Sequence, residues 1–410
     1  MKRIQTLYYE IIGLVFAWYS KAVPRAFRRF ISPVFEKAHL MIQCVITFLQ
    51  QIRQQTYVVL CKCGGSGLRV LYIGRHPKNS YIMQSTALDD QEVEEKGKVF
   101  LWDVRRLTRD CNGIDLIIFE TNRVLASRAQ RDGYFVIPDW VRFFMRVPDS
   151  MEEYLKNTRG IRSDLRMVRR HKYTCEVSHD PGELTLFYND MYVPYISRRF
   201  SRLSYIHDNS FLKRLLKTGA ILFVKSQNEY AAGQFLIFSD QTLWAKWLGI
   251  KDGNEKYLKK AVIGAINYFA IQWAIDKKFK NIDFGLCRAF LSDGVFRYKR
   301  KWGMTLANNN MNTRFSGLKV CSLTKGVRHF LKRNAFIFCR NGELEGLVCF
   351  DEESGSRKDL LDLYRRNHTE GLKTLNMLCL CDSPPEFPEN QPEDSSLRLV
   401  KRDFLFHRGG

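Results

Sequence analysis

The chain has 410 residues, 45% of them hydrophobic and 13% aromatic, which is enough for about two to three domains and excludes a disordered tail. Its formal net charge is +22. Residues 351–410 contain 12 acidic and 9 basic side chains, so residues 1–350 alone carry +25. This concentrated charge favours a polyanionic partner: an anionic membrane, a nucleic acid, or a phosphate-rich cofactor or substrate. The alternative is a charge that only serves solubility.

The 11 cysteines do not have the spacing of a disulfide-rich domain or of a zinc site. Cys61/Cys63 and Cys379/Cys381 are C-x-C pairs, and no histidine lies at zinc-finger distance from them along the chain. On a strand, both thiols of such a pair would lie on one face, so we expect ordinary core thiols. Free thiols are typical of a reducing compartment, which predicts a cytoplasmic protein.

Residues 1–55 predict two or three helices, separated at Pro24 and Pro33. The apolar runs Ile11–Tyr19 and Ala38–Leu49 are too short to span a bilayer, and the start of the chain lacks the small-residue cleavage site of a signal peptide. Arginines then alternate with apolar residues, as in a helix that lies in a lipid headgroup layer. We therefore expect a helical arm that either contacts the inner face of an anionic membrane or packs on the rest of the protein.

Residues 56–136 predict a smaller α/β half-domain. Two strand-like runs, TYVVLCKC and LRVLYIG, flank the turn Gly64-Gly65-Ser66-Gly67, which is a hairpin signal. IDLIIFET at residues 114–121 is a further strand candidate. The sequence leaves open whether this region is a second, degenerate copy of the fold predicted for the region that follows it.

From Ile137 the pattern of elements becomes regular. Ser150 and Glu153 form a capping box that opens a helix, and the arginines of this helix lie opposite an apolar stripe. Three closely spaced strands with short polar turns then predict an antiparallel meander. The elements expected after the first helix are, in order, helices at 181–199 and 210–218, strands at 220–226, 230–238 and 242–249, a long helix at 255–278, a strand at 281–285, a basic aromatic helix at 293–302, and a strand from Met304.

Residues 317–410 are predicted as an appended α+β piece. A hairpin turns at Asn341-Gly342, and a helix at 357–366 and a strand at 372–380 follow it. Asp382–Asp394 is rich in proline and acidic residues, which indicates a solvated linker before a last strand near 397–406.

Helices, a three-strand meander, a long helix, a strand, a helix and a strand follow one another in the order of a GNAT acyltransferase fold. The chain resembles this superfamily over residues 137–316. The resemblance implies an α+β fold in which a mixed, mainly antiparallel sheet is flanked by helices, with residues 56–136 as the candidate second, partial unit.

Two motifs make the resemblance more specific. The segment DFGLCRAFLSDGVFRYKRKWGM resembles the signature of FemAB-like acyltransferases, a branch of the GNAT superfamily. That signature has D-F-G at the end of a strand, then a glycine, an aromatic residue, arginine, a second aromatic residue, lysine and Trp-Gly. The matching positions are Asp283, Phe284, Gly285, Gly294, Phe296, Arg297, Tyr298, Lys299, Trp302 and Gly303. The arginine-rich helix resembles a second family motif, at Arg159, Arg162, Leu165, Arg166, Arg169 and Arg170.

One stretch departs from the wider superfamily. CoA-binding GNAT enzymes hold a pyrophosphate with backbone N–H groups of a glycine-rich loop before the long helix. Residues 251–260 have that place here, but they contain one glycine and four lysines. FemAB-like proteins include users of aminoacyl-tRNA as well as of acyl-CoA, so the resemblance implies either of these donors and no metal.

The resemblance and the helical periodicity together predict Asp283, Tyr298 and Lys299 as catalytic residues. Val295, Tyr298, Lys299 and Trp302 share one helix face, so the Lys299 ammonium needs a phosphate, a carboxylate or a carbonyl unless it reaches solvent. Asp283 ends its strand where GNAT sheets separate to admit the acyl chain. It would act there as a general base or pair with an arginine.

Further residues are predicted to bind the donor and the acceptor. In the GNAT pattern, the strand with Trp244 and Trp247 runs beside the pantetheine, although tryptophans there also serve the core. Cationic side chains would bind phosphates, with a merely solvated surface as the alternative. The predicted cofactor residues are Trp244, Trp247, Asn254, Lys256, Lys259 and Lys260. The predicted substrate residues are Arg166, Arg169, Arg170, Tyr192, Tyr195, Arg199, Arg288 and Arg297.

The predicted function is transfer of an acyl or aminoacyl group from acyl-CoA or aminoacyl-tRNA to an amine of an envelope, lipid or polysaccharide precursor. Direct attack of the amine needs neither a metal nor a covalent intermediate. Two alternatives stay open: a non-catalytic protein of this fold that binds tRNA or an anionic membrane, and a nucleic-acid-binding protein that works through its charge. Steeply salt-dependent binding without product formation would favour the latter.

Overall fold

Two sheets organise the chain in the computed structural model. The structure describes residues 25–63, 65–85, 92–109, 112–200, 206–239, 241–351, 357–381 and 396–406. Contacts divide the chain into two units. The first unit comprises Met1–Ala38, Phe144–Gly285 and Lys301–Gly303, and the second comprises His39–Phe143, Leu286–Arg300 and Met304–Gly410.

The helices of the described residues vary from one turn to seven. They are α1 Arg25–Gln51, α2 Tyr81–Ser85, α3 Val104–Leu107, α4 Ala126–Arg131, α5 Met151–Asn157, α6 Arg162–Arg170, α7 Pro181–Leu186, α8 Val193–Phe200, α9 Asn209–Leu215, α10 Glu255–Lys259, α11 Val262–Asp276, α12 Gly294–Lys301, α13 Lys325–Arg333 and α14 Arg357–Asn367. A π-helical segment, Phe187–Tyr192, joins α7 to α8.

The strands alternate with these helices. They are β1 Arg53–Cys63, β2 Ser66–Gly74, β3 Glu92–Phe100, β4 Leu116–Asn122, β5 Phe135–Pro138, β6 Val141–Arg146, β7 Thr174–Ser178, β8 Gly219–Ser226, β9 Glu229–Phe238, β10 Thr242–Ile250, β11 Asn281–Cys287, β12 Thr305–Ala307, β13 Arg314–Val320, β14 Phe336–Arg340, β15 Glu343–Phe350, β16 Thr374–Cys379 and β17 Leu397–Val400.

The sheet of the first unit contains the predicted meander. β8, β9 and β10 are consecutive antiparallel neighbours, and β7 pairs with β8. β11 follows α11 and pairs parallel to β10. This is the expected order of elements, and the predicted α+β class, with mixed sheets flanked by helices, is confirmed.

The core of the first unit lies between its meander and the helical segment α7–α9. Phe187, Tyr192 and Leu212 pack against Phe223 and Phe235, and all five side chains are at most 1% exposed. Burial of a side chain of this size contributes about 1.5–3 kcal/mol relative to exposure. The π-helical segment keeps Phe187 and Tyr192 on the buried face, so the helical run predicted at 181–199 is present with a local widening.

The sheet of the second unit has the strand order β17-β16-β15-β14-β5-β13-β4-β2-β1-β3. Strands from both the predicted half-domain at 56–136 and the predicted C-terminal piece at 317–410 therefore lie in one sheet. β13 pairs with β4 and with β5, which are distant from it along the chain. Each of the two units is built from several separate stretches of the chain, whereas the sequence predicted continuous domains. The predicted division into separately folding domains therefore stays a prediction.

Two predicted helix boundaries are wrong. α1 continues through Pro33, where a break was expected, because the helix keeps its other hydrogen bonds on both sides of the one that proline cannot make. The long helix expected at 255–278 is divided into α10 and α11, since Ala261 between them has φ +58. This left-handed conformation interrupts an α-helix, and nothing in the local sequence signals it because alanine is a strong helix former.

Parts of two predictions lie outside the described residues. These are the first 24 residues of the N-terminal arm and the linker Asp382–Asp394. Within the described residues, no helix has both the length and the apolar character needed to cross a bilayer.

The cysteine prediction is wrong for one of the two C-x-C pairs. Cys379 and Cys381, at the end of β16, are joined in a disulfide. Cys61 of the other pair is a buried thiol, as expected, and its Sγ atom donates to the carbonyl oxygen of Leu68 at 3.2 Å. Sequence spacing alone does not distinguish these outcomes, because the bond requires the two side chains to turn toward each other beyond the end of the strand.

We expect Gly371 not to tolerate a side chain. Its φ is +95, and a Cβ atom there would overlap the main-chain carbonyl oxygen of Leu306, which cannot rotate away. The N–H group of Leu306 also donates to the carbonyl oxygen of Glu370, at 2.8 Å, so the two segments are held together. Gly371→Ala should lower the free energy of unfolding by about 3 kcal/mol, as measured by urea unfolding.

Gly342 provides the matched control. Its φ is +83, but a Cβ atom there would meet nothing within 4 Å. Gly342→Ala should therefore lower the free energy of unfolding only by about 1 kcal/mol, through the backbone conformation alone. Equal losses in both variants would show that the contact with Leu306 does not matter.

Candidate active site

The parallel strands β10 and β11 separate along their length. Their register ends at Trp244 and Asp283, although β10 continues to Ile250 and β11 to Cys287. Just beyond this point Gly285 has φ +77, a conformation that favours glycine. The ladder between these two strands of the first unit therefore ends at the place where the GNAT resemblance implied an opening, and we call this end of the ladder the opening.

A β-bulge lies on β10 beside this opening. Ala245 pairs with Leu236, and Leu248 pairs with Gln234, so two residues of β10 face a single residue of β9. A bulge bends its strand and turns main-chain groups out of the regular ladder, and bulges are frequent next to active sites. A main-chain N–H group in such a position is suited to polarise the carbonyl group of a bound acyl donor.

Asp283 lies at the last paired position of β11 and is 5% exposed. Its Oδ1 atom accepts a hydrogen bond from the N–H group of Gly285, at 2.7 Å. This local bond stabilises the chain where it leaves the paired part of the sheet. The predicted role of Asp283 as a general base stays a prediction.

Trp247 packs within the first unit, as the core alternative anticipated. Its ring lies 4.9 Å from that of His207, 5.9 Å from Phe211 and 5.4 Å from Phe235, measured between centroids. Trp244 is partly buried and lies in register with Asp283 at the opening. Trp244 therefore has the better position for contact with a donor, and the cofactor role of both residues stays a prediction.

His207 beside Trp247 predicts a pH dependence of stability. Burial lowers the pKa of His207 to about 4, whereas its pKa in an unfolded chain is about 6.5. Between these values the unfolded chain binds more protons than the folded one, so stability is lost as pH falls through this window. We expect the loss to be about 2 kcal/mol between pH values of about 7 and about 4, a figure discounted for partial solvent exposure.

Urea unfolding of His207→Gln at a series of pH values tests this expectation. The variant should lack the part of the pH slope that His207 contributes. An identical slope in the wild type and in His207→Gln would contradict the burial argument.

The predicted acceptor residues of α8 and its π-helical neighbour are largely buried. Tyr192 and Tyr195 are 1% and 5% exposed, and burial raises the pKa of Tyr195. The Tyr192 ring stacks on Phe187 at 6.1 Å, which places it in the core. Arg199 is exposed, and its guanidinium lies 5.8 Å from the centroid of the Tyr195 ring. Their role in acceptor binding stays a prediction.

A basic surface of the first unit combines two predicted sets of residues. Arg170 at the end of α6 and Lys260 after α10 both act on His171, whose pKa is lowered by burial and then by these two charges. Asn254 caps α10 by accepting a hydrogen bond from the N–H group of Lys256, at 3.0 Å. The basic surface consists of Arg159, Arg162, Arg166, Arg169, Arg170, Lys256 and Lys259, which are exposed, and Lys260, which is partly buried.

Tyr173 lies next to this basic surface and was missed by the sequence analysis. It is 6% exposed, its ring lies 5.9 Å from that of His171, and its hydroxyl group has no hydrogen-bond partner among the described residues. Burial, followed by the influence of Tyr257, raises the pKa of Tyr173 to about 12, so the group is a neutral donor at physiological pH. A buried hydroxyl group without a partner is costly.

In the second unit, Lys299 and Tyr298 lie on α12 and are both partly buried. The Lys299 Nζ atom donates to the carbonyl oxygen of Leu286, at 3.0 Å, and lies 5.8 Å from the centroid of the Phe143 ring. The apolar face predicted for this helix is wrong in one respect. Val295 is 37% exposed, whereas Phe296 is fully buried against Phe143, because α12 is rotated by about one residue relative to the expectation.

Arg288 is stacked between two aromatic rings of the second unit. Its guanidinium carbon lies 4.4 Å from the centroid of Tyr81 and 3.9 Å from that of Trp140. Burial lowers the pKa of Arg288, although an arginine stays charged throughout the physiological range. Arg297, the other predicted substrate residue of this segment, is exposed. A guanidinium held flat in this way has a fixed direction in which to bind a carboxylate or a phosphate.

Asp293 and Tyr81 complete this cluster, and neither was predicted. Asp293 Oδ1 caps α12 by accepting from the N–H groups of Val295 and Phe296, at 2.8 and 3.0 Å, while Oδ2 accepts from the Tyr81 hydroxyl group, at 2.6 Å. Burial and the bond to Asp293 raise the pKa of Tyr81. An aspartate at the start of a predicted helix is a recognisable capping signal, but its tyrosine partner is not visible in the sequence.

Two further carboxylates of the second unit, Glu120 and Asp139, interact with arginines. Tyr72 donates to Glu120 at 2.8 Å, and Arg75 donates to both carboxylate oxygens of Glu120 at 3.0 Å. Burial, followed by the charge of Glu120, raises the pKa of Asp139. Arg288 and Arg75 oppose that shift. A carboxyl group with a raised pKa between cations is a candidate proton acceptor that no local pattern indicated.

Cys287 is not suited to be a nucleophile. Burial raises its pKa to about 12, with Lys299 and Arg288 opposing and Asp293 reinforcing the shift. The thiol is therefore protonated at neutral pH. Within the described part of the chain, no group of histidine, cysteine, aspartate and glutamate side chains could hold a metal ion.

Comparison with known proteins gives no match to a family model and no match to a curated protein. Among solved structures, the chain is similar to FemX, at 12% identity over 63% of this chain and 83% of that one, with a TM-score of 0.35. It is similar to L-PGS from Bacillus licheniformis, at 14% identity over 67% and 87% of the two chains, with a TM-score of 0.31. A GCN5-related N-acetyltransferase from Kribbella flavida matches at 10% identity over 74% and 65%, with a TM-score of 0.27. These matches include FemX and GNAT acetyltransferases, the two groups that the sequence motifs resemble.

Proposed function

We propose that this chain is an acyltransferase that moves an acyl or aminoacyl group from acyl-CoA or aminoacyl-tRNA to an amine. The observation that carries the proposal is the opening between β10 and β11 beside the bulge of β10. In acyl transfer by direct attack, the donor carbonyl must lie where a main-chain N–H group can polarise it. The bulged strand at the edge of the opening offers such groups without a covalent intermediate or a metal.

The reaction would form one bond and break one bond at the carbonyl carbon. The amine nitrogen attacks, the carbonyl oxygen takes up negative charge, and the thiol of CoA or the ribose hydroxyl of tRNA leaves with a proton. Lys299 and Tyr298 are proposed as the groups that stabilise the charge and supply this proton, on the strength of the motif that they share with FemAB-like proteins. Asp283 is proposed as the candidate for the base.

The basic surface supports a phosphate-bearing donor. Arg170 and Lys260 lie close enough to act together on His171. Both CoA and tRNA carry phosphates that would suit these groups. The proposed acceptor is an amine of an envelope, lipid or polysaccharide precursor.

A thermal-shift screen tests the proposal with acetyl-CoA, long-chain acyl-CoA, free CoA, aminoacylated tRNA and uncharged tRNA. A ligand that binds only the folded state raises the melting temperature, and about 100-fold excess over Kd corresponds to about 2.7 kcal/mol. We expect one class of donor to raise the Tm, with the shift reduced in Lys260→Ala. If no donor raises the Tm, the proposed transfer loses its support.

A second function is favoured by the number of exposed cations on the basic surface. Five exposed arginines on and before α6 would allow the chain to bind tRNA or another polyanion without catalysis. In that case log K should fall linearly with log salt concentration, with a slope of about −0.7 for each phosphate neutralised on a single strand. Such a slope together with the absence of product would favour this function over the transferase.

A further inference from the structure

An apolar surface of the second unit lies on the C-terminal half of α1 and on the segment that follows β3. Four side chains on one face of α1 are between 49% and 69% exposed: Met41, Ile42, Val45 and Leu49. Two aromatic side chains are also exposed, Phe100 at 42% and Trp102 at 57%. Large exposed apolar patches are uncommon on soluble proteins and mark binding surfaces. We call these six residues the apolar surface.

The two parts of the apolar surface adjoin each other. The N–H group of Leu101, between the two exposed aromatic residues, donates to the carbonyl oxygen of Ile52 at 2.9 Å, directly after α1. Phe48 of α1 and Trp102 line the same cavity, which has a volume of about 130 Å³. The Phe100 and Trp102 rings stack at 4.9 Å between centroids, so they form a rigid exposed pair.

Basic side chains lie next to the aromatic part of the apolar surface. Arg53 is exposed, and its guanidinium lies 5.7 Å from the centroid of the Phe100 ring. Residues 97–109 contain four basic and one acidic side chain. The basic side chains are Lys98, Arg105, Arg106 and Arg109, and all are exposed. Arg105 also lines the cavity beside Trp102 and pairs with Asp132 at 3.2 Å.

We propose that the apolar surface docks on an anionic phospholipid membrane. A helix with one apolar face lies in the headgroup region of a bilayer with that face toward the acyl chains. Aromatic residues are enriched at this depth, and flanking lysines and arginines gain about 1 kcal/mol each from anionic lipids. The proposal does not depend on the proposed acyl transfer.

Charge favours a lipid over a second copy of the chain. In a symmetric dimer built on this surface, each patch would face the same patch of its partner. The arginines around Phe100 and Trp102 would then approach arginines of the same sign. An anionic lipid surface provides the opposite charge to these arginines and an apolar layer beneath it.

Vesicle flotation of the full chain tests the proposal. We expect binding to phosphatidylcholine vesicles that contain phosphatidylglycerol, weaker binding at raised salt, and little binding to phosphatidylcholine alone. Val45→Glu combined with Leu49→Glu should lower the partition coefficient by more than about tenfold, because two charges enter the apolar face. Arg105→Gln combined with Arg106→Gln should also lower the partition coefficient by more than about tenfold, because the loss of each cation lowers it by about fivefold.

Leu60→Glu is the matched control. Leu60 is an apolar residue of β1 that is 43% exposed, but it lies seven positions after Arg53 on an extended strand, away from α1. This variant should bind vesicles as the wild type does, and all variants should keep the wild-type Tm because the substituted side chains are exposed. Undiminished binding of the Val45/Leu49 variant would overturn the proposal. The proposal would also be overturned if the wild type did not bind vesicles and the Val45/Leu49 variant lost self-association, as measured by sedimentation equilibrium.

Discussion

Lys299→Ala should lower turnover by about 10²- to 10³-fold and leave the fold intact. A positioned cation or donor that stabilises the charge of an acyl-transfer transition state contributes about 3–4 kcal/mol. The Lys299 side chain is oriented by its hydrogen bond to the Leu286 carbonyl oxygen and by its position near the Phe143 ring. Removal of these contacts should cost little stability, because the group is partly exposed. The measurement is release of CoA or of free tRNA, with the donor that raises the Tm in the thermal-shift screen.

The control for this experiment is Lys325→Ala. Lys325 is an exposed lysine at the start of α13, so the variant removes the same charge from the second unit without touching α12. We expect its turnover to equal that of the wild type. Lys299→Arg should recover part of the activity, since it restores the charge but not the compact ammonium group. Wild-type turnover in Lys299→Ala would remove Lys299 from the chemistry.

Trp302→Ala should lower the free energy of unfolding of the first unit by about 5 kcal/mol. The Trp302 side chain is fully buried, and its Nε1 atom donates to Asp164 Oδ2 at 3.1 Å. Asp164 also accepts from Lys301 Nζ at 2.6 Å, and the main-chain carbonyl oxygen of Trp302 accepts from the Tyr154 hydroxyl group at 2.8 Å. Truncation of a buried tryptophan costs about 3–5 kcal/mol, and the lost bond to a carboxylate adds about 1.5–3 kcal/mol. Urea unfolding followed by far-UV circular dichroism measures the sum.

Two further sets of variants separate packing from hydrogen bonding. Trp102 is 57% exposed, so Trp102→Ala should lower the free energy of unfolding by less than about 1 kcal/mol. Trp302→Phe keeps most of the volume and should cost about 1.5–3 kcal/mol. A double-mutant cycle of Trp302→Phe with Asp164→Asn should give a coupling energy of about 1 kcal/mol or more. A coupling energy of zero would mean that the indole and the carboxylate do not interact.

This result would give the Trp-Gly end of the FemAB-like motif, together with the adjacent Lys301, a structural role. Lys301 and Trp302 hold α6 through Asp164, whereas Lys299, two residues earlier, belongs to the second unit. The sequence motif therefore combines residues with different tasks. The resemblance to the FemAB-like motif did not distinguish the structural residues from the proposed catalytic one, because neighbouring residues of the segment contact different parts of the protein.

Local structure was predictable from the sequence. Gly65, in the predicted turn between β1 and β2, has positive φ, and the hairpin between β14 and β15 turns at Asn341 and Gly342, which both have positive φ. The meander turn at Gln227 and Asn228 has the same property. Glycine and asparagine adopt such conformations at low cost, so a turn is determined by a few adjacent residues.

The chemistry of the second unit was only partly predictable. Arg288 and Lys299 were recognised through the family motif, and the Asp293 cap has a local signal. The aromatic partners of Arg288 are Tyr81 and Trp140, and Asp139 is a carboxylate that acts on it. All three residues come from segments far earlier in the chain. No periodicity or spacing connects such residues, because their proximity results from the pairing of the strands that carry them.

The sequence by itself therefore determined the α+β class, the order of the elements, the turns and the amphipathic helices, since these follow from interactions between residues close along the chain. Only the tertiary structure decided which strands share a sheet, where β10 and β11 separate, and which buried cations meet which carboxylates. These features depend on burying apolar surface contributed by distant segments. The energy of that burial belongs to the whole arrangement and not to any one stretch of sequence.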